Sequence, residues 1–146
     1  MSGDLAARQA ALVATLTSGA PVPPGFDPRL VGVARDALLR KRAGEVARAW
    51  PMLAAAQGDQ WRAVFASWAK RRPTNGSLRD GWDLARSLSP LSGPAEAELA
   101  AREAAWRYDG RSAPLPRGRL SGWARRRGFD PLWESGRLWT RLRSKG

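Results

Sequence analysis

A chain of 146 residues is long enough for one domain with a real core, and its Ala, Leu, Arg and Trp with few β-branched residues favour helix. It has neither cysteine nor histidine, which excludes disulfides, thiolate catalysis and cysteine-ligated metals and removes the usual metal ligands and neutral-pH general base. No resident cofactor is expected, the composition points away from an enzyme working alone, and a net charge of +12 calls for an acidic partner, either nucleic acid or an acidic peptide or protein.

In chain order, Asp4 can cap a first helix, Leu5 to Thr17, with Leu5, Leu12, Val13 and Leu16 on one side and Gly19 beyond its end. PVPPGFDP is a Pro/Gly connector that places Phe26 near the core. Asp27-Pro28 is an N-cap and N1 pair and opens a long helix to about Trp50. Leu30, Val31, Ala34, Leu38, Val46, Ala49 and Trp50 form its apolar face, with Arg35, Arg40, Lys41, Arg42 and Arg48 in solvent. Trp50-Pro51 then breaks the chain direction, because the residue before proline is pushed out of the helical region, and a short helix runs from Met52 to Gln57.

The most complete helix pattern is DQWRAVFASWAKRRP, Asp59 to Pro73. Trp61, Val64, Phe65 and Trp68 stand at i, i+3, i+4 and i+7, with Asp59 as N-cap and Lys70, Arg71 and Arg72 at the dipole's negative end. Burying such a ring is worth roughly 2–3 kcal/mol, so this helix is expected to be central. Ser77 is read as the cap of a fifth helix carrying Leu78, Trp82, Ala85 and Leu88, and Ser89-Pro90 closes it. Asp80 and Asp83 share a helix face, where ion pairs with Arg79 and Arg86 explain them better than a metal site. A sixth helix opens at Ser92 to Pro94, carries Leu99 and Trp106 on one face, has Arg107 in its last turn and ends at Gly110.

From Arg111 onward the composition changes. Residues 1–110 carry 15 Lys+Arg against 11 Asp+Glu, whereas 111–146 carry 10 against 2, so two thirds of the excess charge lies in the last quarter. The segment is a Pro/Arg linker with Arg117 and Arg119, followed by arginines mixed with Trp123, Trp133 and Trp139. Its end, RLWTRLR around Arg141, reads equally as an alternating strand or as a short basic helix. Arg125, Arg126 and Arg127 beside Trp123 could pair with phosphates and stack on an unpaired base, or clamp acidic side chains of a peptide. A solvated tail explains the same run without a ligand. A membrane-surface reading ranks behind these because Gly128, Pro131 and Gly136 interrupt any amphipathic helix. In the Arg40-Lys41-Arg42 triplet, successive residues point about 100° apart, so at most one or two reach a partner together. Arg40 and Arg42 are the candidates, against the plainer reading of a solvated face.

The run from Leu38 to Leu88 holds an arginine-bearing helix, an aromatic-Pro junction at Trp50-Pro51, a Gly-acid start at Gly58-Asp59, an aromatic helix with Trp61 and Phe65, and a Pro-x-x-Gly loop. In that order it resembles a helical bacterial family labelled a DNA-binding domain, whose members are partner proteins of multinuclear non-heme iron oxidative enzymes. Those enzymes modify cysteine or other residues of ribosomally made peptides, and actinobacterial relatives look like domains fused behind the enzyme barrel. The resemblance implies an accessory protein that holds the iron enzyme in trans, its precursor peptide, or both, with Arg40 or Arg42 standing for the family's helix arginine.

The expectation is therefore an all-α, compact bundle of about six helices over residues 1–110. A basic Arg/Trp-rich segment over 111–146 follows, with a small β-hairpin as one option for it. The expected function is a non-catalytic partner protein for an iron-dependent peptide-modifying enzyme and an acidic precursor peptide, with a small nucleic-acid-binding protein as the alternative. No apolar run reaches the roughly eighteen residues of a membrane span and no signal peptide is evident, so a cytoplasmic location is expected.

Overall fold

Residues 2–118 are described by the computed structural model of the chain, and six α-helices account for most of them. The first, α1 (Ser2–Ser18), ends at Gly19, whose φ of 71° lies in the left-handed region and whose missing Cβ would stand 2.8 Å from the Lys70 carbonyl oxygen. Only glycine lets the two segments approach so closely. Asp27 caps α2 (Pro28–Ala49) by accepting from the Arg29 N–H at 2.8 Å. Trp50 then separates α2 from α3 (Pro51–Gln57), and a 3-10 turn (Gly58–Gln60) leads into α4 (Trp61–Ala69). The acidic residue of that turn, Asp59, makes no cap bond, because the 3-10 turn moves the helix start to Trp61.

Next come α5 (Ser77–Ser87), α6 (Gly93–Ala105) and a two-residue antiparallel pair, β1 (Trp106–Arg107) with β2 (Leu115–Pro116). Ser77 does not cap α5. Asp80, one turn in, instead ties down the loop before the helix, its carboxylate accepting from the Asn75 N–H at 2.9 Å and from Thr74 Oγ1 at 2.8 Å. The sixth helix stops five residues before Gly110, since Trp106 and Arg107 leave it as a strand.

The hub is α2, which packs on α1, α3, α4 and α5. At 22 residues it is about 33 Å long, enough to offer a different face to each neighbour. The aromatic stripe of α4 supplies part of the core: Trp61 and Phe65 are buried, while Val64 and Trp68 are partly covered. The rest centres on Trp50 and Trp82, fully buried and edge-on at 5.8 Å. Each of the three buried indoles has a hydrogen-bond partner: Trp50 donates to the Leu78 carbonyl (2.9 Å), Trp61 to that of Ala43 (3.1 Å) and Trp82 to Glu103 Oε1 (2.8 Å). Such partners remove the cost of burying a polar N–H. Gly81 makes the Trp50 site possible, because a Cβ there would lie 2.1 Å from the indole.

The N-terminal part is thinly covered. Leu5 and Leu30, assigned to the core by their periodicity, are 59% and 69% exposed, and Val13 and Val33 are exposed beside them. Their period is helical, yet no further element lies over α1 and the start of α2 among the described residues. No described helix is long and apolar enough to cross a membrane.

Candidate partner-binding groove

The arginines divide by what they touch. Arg42 lies inside: 6% exposed, it donates to Asp80 Oδ2 at 3.1 Å and to the Arg72 carbonyl at 3.0 Å, with its carbon Cζ 5.7 Å from the Phe65 ring centre. Asp80 is 2% exposed, so the pair is a buried link between α2 and α5. This corrects the sequence expectation twice: Arg42 is not placed to meet a partner, and the partner of Asp80 is Arg42 rather than Arg79. Arg86 forks onto Glu103 and bonds the Tyr108 carbonyl, Arg79 donates to the Arg111 carbonyl, and Arg102 donates to that of Ala49 while stacking 4.3 Å from the Trp50 ring centre. Burial lowers the Arg102 pKa, against Glu98, which raises it. Asp83 accepts from the Tyr108 hydroxyl at 3.0 Å.

A second set of cations faces outward along a groove between α2 and α4. From α2 come Gly32, Arg35, Asp36, Leu39 and Arg40, at i, i+3, i+4, i+7 and i+8, which is one continuous helix face. From α4 come Arg62, Ala63 and Ala66, and Lys70 just past its end continues the same face. The helices run antiparallel here, since Arg40 is beside Arg62 while Gly32 and Arg35 are beside Lys70. The Arg40–Arg62 end encloses about 410 Å³ and the Arg35–Lys70 end about 380 Å³, and the two share Asp36, Leu39 and Ala66. Among the described residues, none of the four cations has a carboxylate within 4 Å. The Arg40 Nε reaches only the Asp36 backbone carbonyl, at 3.4 Å.

Of the other sequence candidates, Arg117 ends the hairpin, its Nε donating to the Trp106 carbonyl at 3.1 Å and its backbone N–H to that of Ala105 at 2.9 Å. Arg119, Trp123, Arg125, Arg126, Arg127, Trp133, Trp139 and Arg141 lie outside the described residues. Sequence reasoning passed over Arg35, Arg62 and Lys70. The available signal was the face opposite the aromatic stripe of α4, where Arg62 and Lys70 bracket Ala63 and Ala66 as Arg35 and Arg40 bracket Leu39. Among the described residues no group of three or more acidic side chains could hold a metal ion.

Residues 6–90 match the model of the family described as SCO6045-like, C-terminal domain, and that is more than half of the chain. The chain belongs to this family. The SCO6045-like match takes in α1 to α5, hence the whole groove, the Arg42–Asp80 pair and the Leu38 to Leu88 run, and stops before α6. The chain is also similar to a UPF0276 protein of Streptomyces avermitilis, 40% identical over 113 residues, which is 77% of this chain and 23% of that protein. It thus spans about a quarter of the length of the curated relative it matches. No solved structure matches the chain.

Proposed function

We propose that this SCO6045-like domain is a non-catalytic partner protein that binds a multinuclear non-heme iron peptide-modifying enzyme and its acidic precursor peptide. The observation that carries the reading is the division of the cations: one set is spent on internal bonds, and the other lines a groove with an aliphatic floor and has no carboxylate partner among the described residues. Such a groove suits binding rather than proton transfer, since arginine does not deprotonate near neutral pH. The exposed Leu5, Val13, Leu30 and Val33 on α1 and α2 offer an apolar face for the enzyme. The Streptomyces relative supports the reading in outline, because there a similar segment is part of a much longer protein. The domain's contribution to rate is positional: holding the peptide near the enzyme raises its effective concentration.

A pull-down of the tagged full chain from its host, with nuclease and at two salt concentrations, tests this. An iron enzyme retained at moderate salt supports it. Nucleic acid lost at high salt, with no protein partner, favours the competing reading of a nucleic-acid-binding protein, which draws on Arg125 to Arg127 and Trp123.

A further inference from the structure

The layout of the α2–α4 groove selects a class of ligand. Its cations form two pairs, Arg35 with Lys70 and Arg40 with Arg62, at opposite ends of an aliphatic floor made by Leu39 and Ala66. The α2 side runs from residue 32 to residue 40, about 12 Å of helix, or roughly two turns. We infer that this groove binds a short acidic amphipathic peptide helix, whose carboxylates meet the two cation pairs while an aliphatic side chain between them rests on Leu39 and Ala66. The inference rests on the partner-protein reading and deepens it by giving the peptide a site.

Two antiparallel helices presenting continuous faces form the kind of trough in which a third helix lies. Carboxylates on the ligand would supply the partners that the four cations lack among the described residues. Asp36 sits on the α2 face between the pairs, so a ligand with an acidic residue at its middle is repelled and the register is set. The same carboxylate opposes a phosphate backbone. Among the described residues no aromatic side chain lines the groove, so they offer an unpaired base no stacking platform there.

Fluorescence anisotropy tests the site with the full chain and a labelled peptide helix carrying glutamates roughly two turns apart around a leucine. The same peptide with lysines in place of the glutamates, and a single-stranded oligonucleotide, serve as comparisons. The glutamate peptide should bind and the lysine peptide should not. Joint Arg40→Glu and Arg62→Glu should weaken binding at least about tenfold, and Asp36→Asn should tighten it about two- to threefold. Lys41→Glu, on the exposed Lys41 that does not line the groove, should leave binding unchanged. All these positions are exposed, and an unchanged helical circular dichroism spectrum establishes that each variant is folded. Equal binding by the double variant, or an oligonucleotide that binds more tightly and loses its affinity with the same two arginines, overturns the inference. If the double variant still captures the iron enzyme, the partner reading survives without this site. Peptide binding in the groove with no enzyme captured sinks the partner reading alone.

Discussion

Arg42 and Asp80 show how a residue's role depends on a contact that sequence spacing hides. Both look like surface charges, one in a basic triplet of α2 and the other on an acidic face of α5, but they meet across 38 positions. Removing one member of a buried pair strands the other, so Asp80→Ala should cost about 3–5 kcal/mol, helped by loss of the bonds that hold Thr74 and Asn75 in the preceding loop. A denaturant titration reads this directly, and a loss below about 1 kcal/mol would mean that the pair is solvated. Tyr108 gives a pH signature. Burial pushes its phenol up, with Arg79 pulling it down and Asp83 adding to the rise. A raised folded value leaves stability intact below the ordinary phenol range and erodes it as pH climbs past about 10. Tyr108→Phe should lose about 1 kcal/mol near neutrality with the bond to Asp83, and should lack that part of the alkaline decline. Matching alkaline profiles for the two proteins would refute this.

Among the elements, the ones written in local chemistry were legible. Asp27-Pro28 and Trp50-Pro51 act within a few residues, and the boundaries they mark stand in the structure, as does the helix that the Trp61–Phe65 spacing predicts, though not its Asp59 cap. Other features depended on distant partners. Gly81 looks like a weak point in α5, yet its missing side chain is where the Trp50 indole lies. In an ordinary helix Gly→Ala stabilises by about 1 kcal/mol. Here Gly81→Ala should destabilise, by about 1–3 kcal/mol as overpacking does, and adding Trp50→Ala should remove most of the penalty of the new methyl. Thermal unfolding of the two single variants and the double checks it; a gain in stability from Gly81→Ala alone would contradict the packing described. The end of α6 was hidden for a similar reason. Trp106 continues the helical period but pairs with Pro116, ten residues away in the chain, as a strand.

At the scale of the whole molecule, the net charge of +12 overstates the cations available to a ligand, because Arg42, Arg79, Arg86 and Arg102 are engaged internally. The groove was only partly legible, through Arg40. Arg35 and Lys70 had adequate local explanations as a solvated and a helix-end charge, Arg62 drew no reading at all, and only the packing of α4 against α2 brings the three together with Arg40. The exposed apolar face of α1 and α2 was likewise invisible in the sequence, since periodicity reports that a face is apolar and not what covers it. On the proposed reading these surfaces serve a peptide-modifying iron enzyme. The most direct test of that reading is turnover of the captured iron enzyme on its precursor peptide, measured with and without this domain at low peptide concentration. The apparent KM for the peptide should fall about tenfold or more when the domain is present, as tethering raises the local peptide concentration. Turnover that is the same at every peptide concentration, with or without the domain, would contradict it.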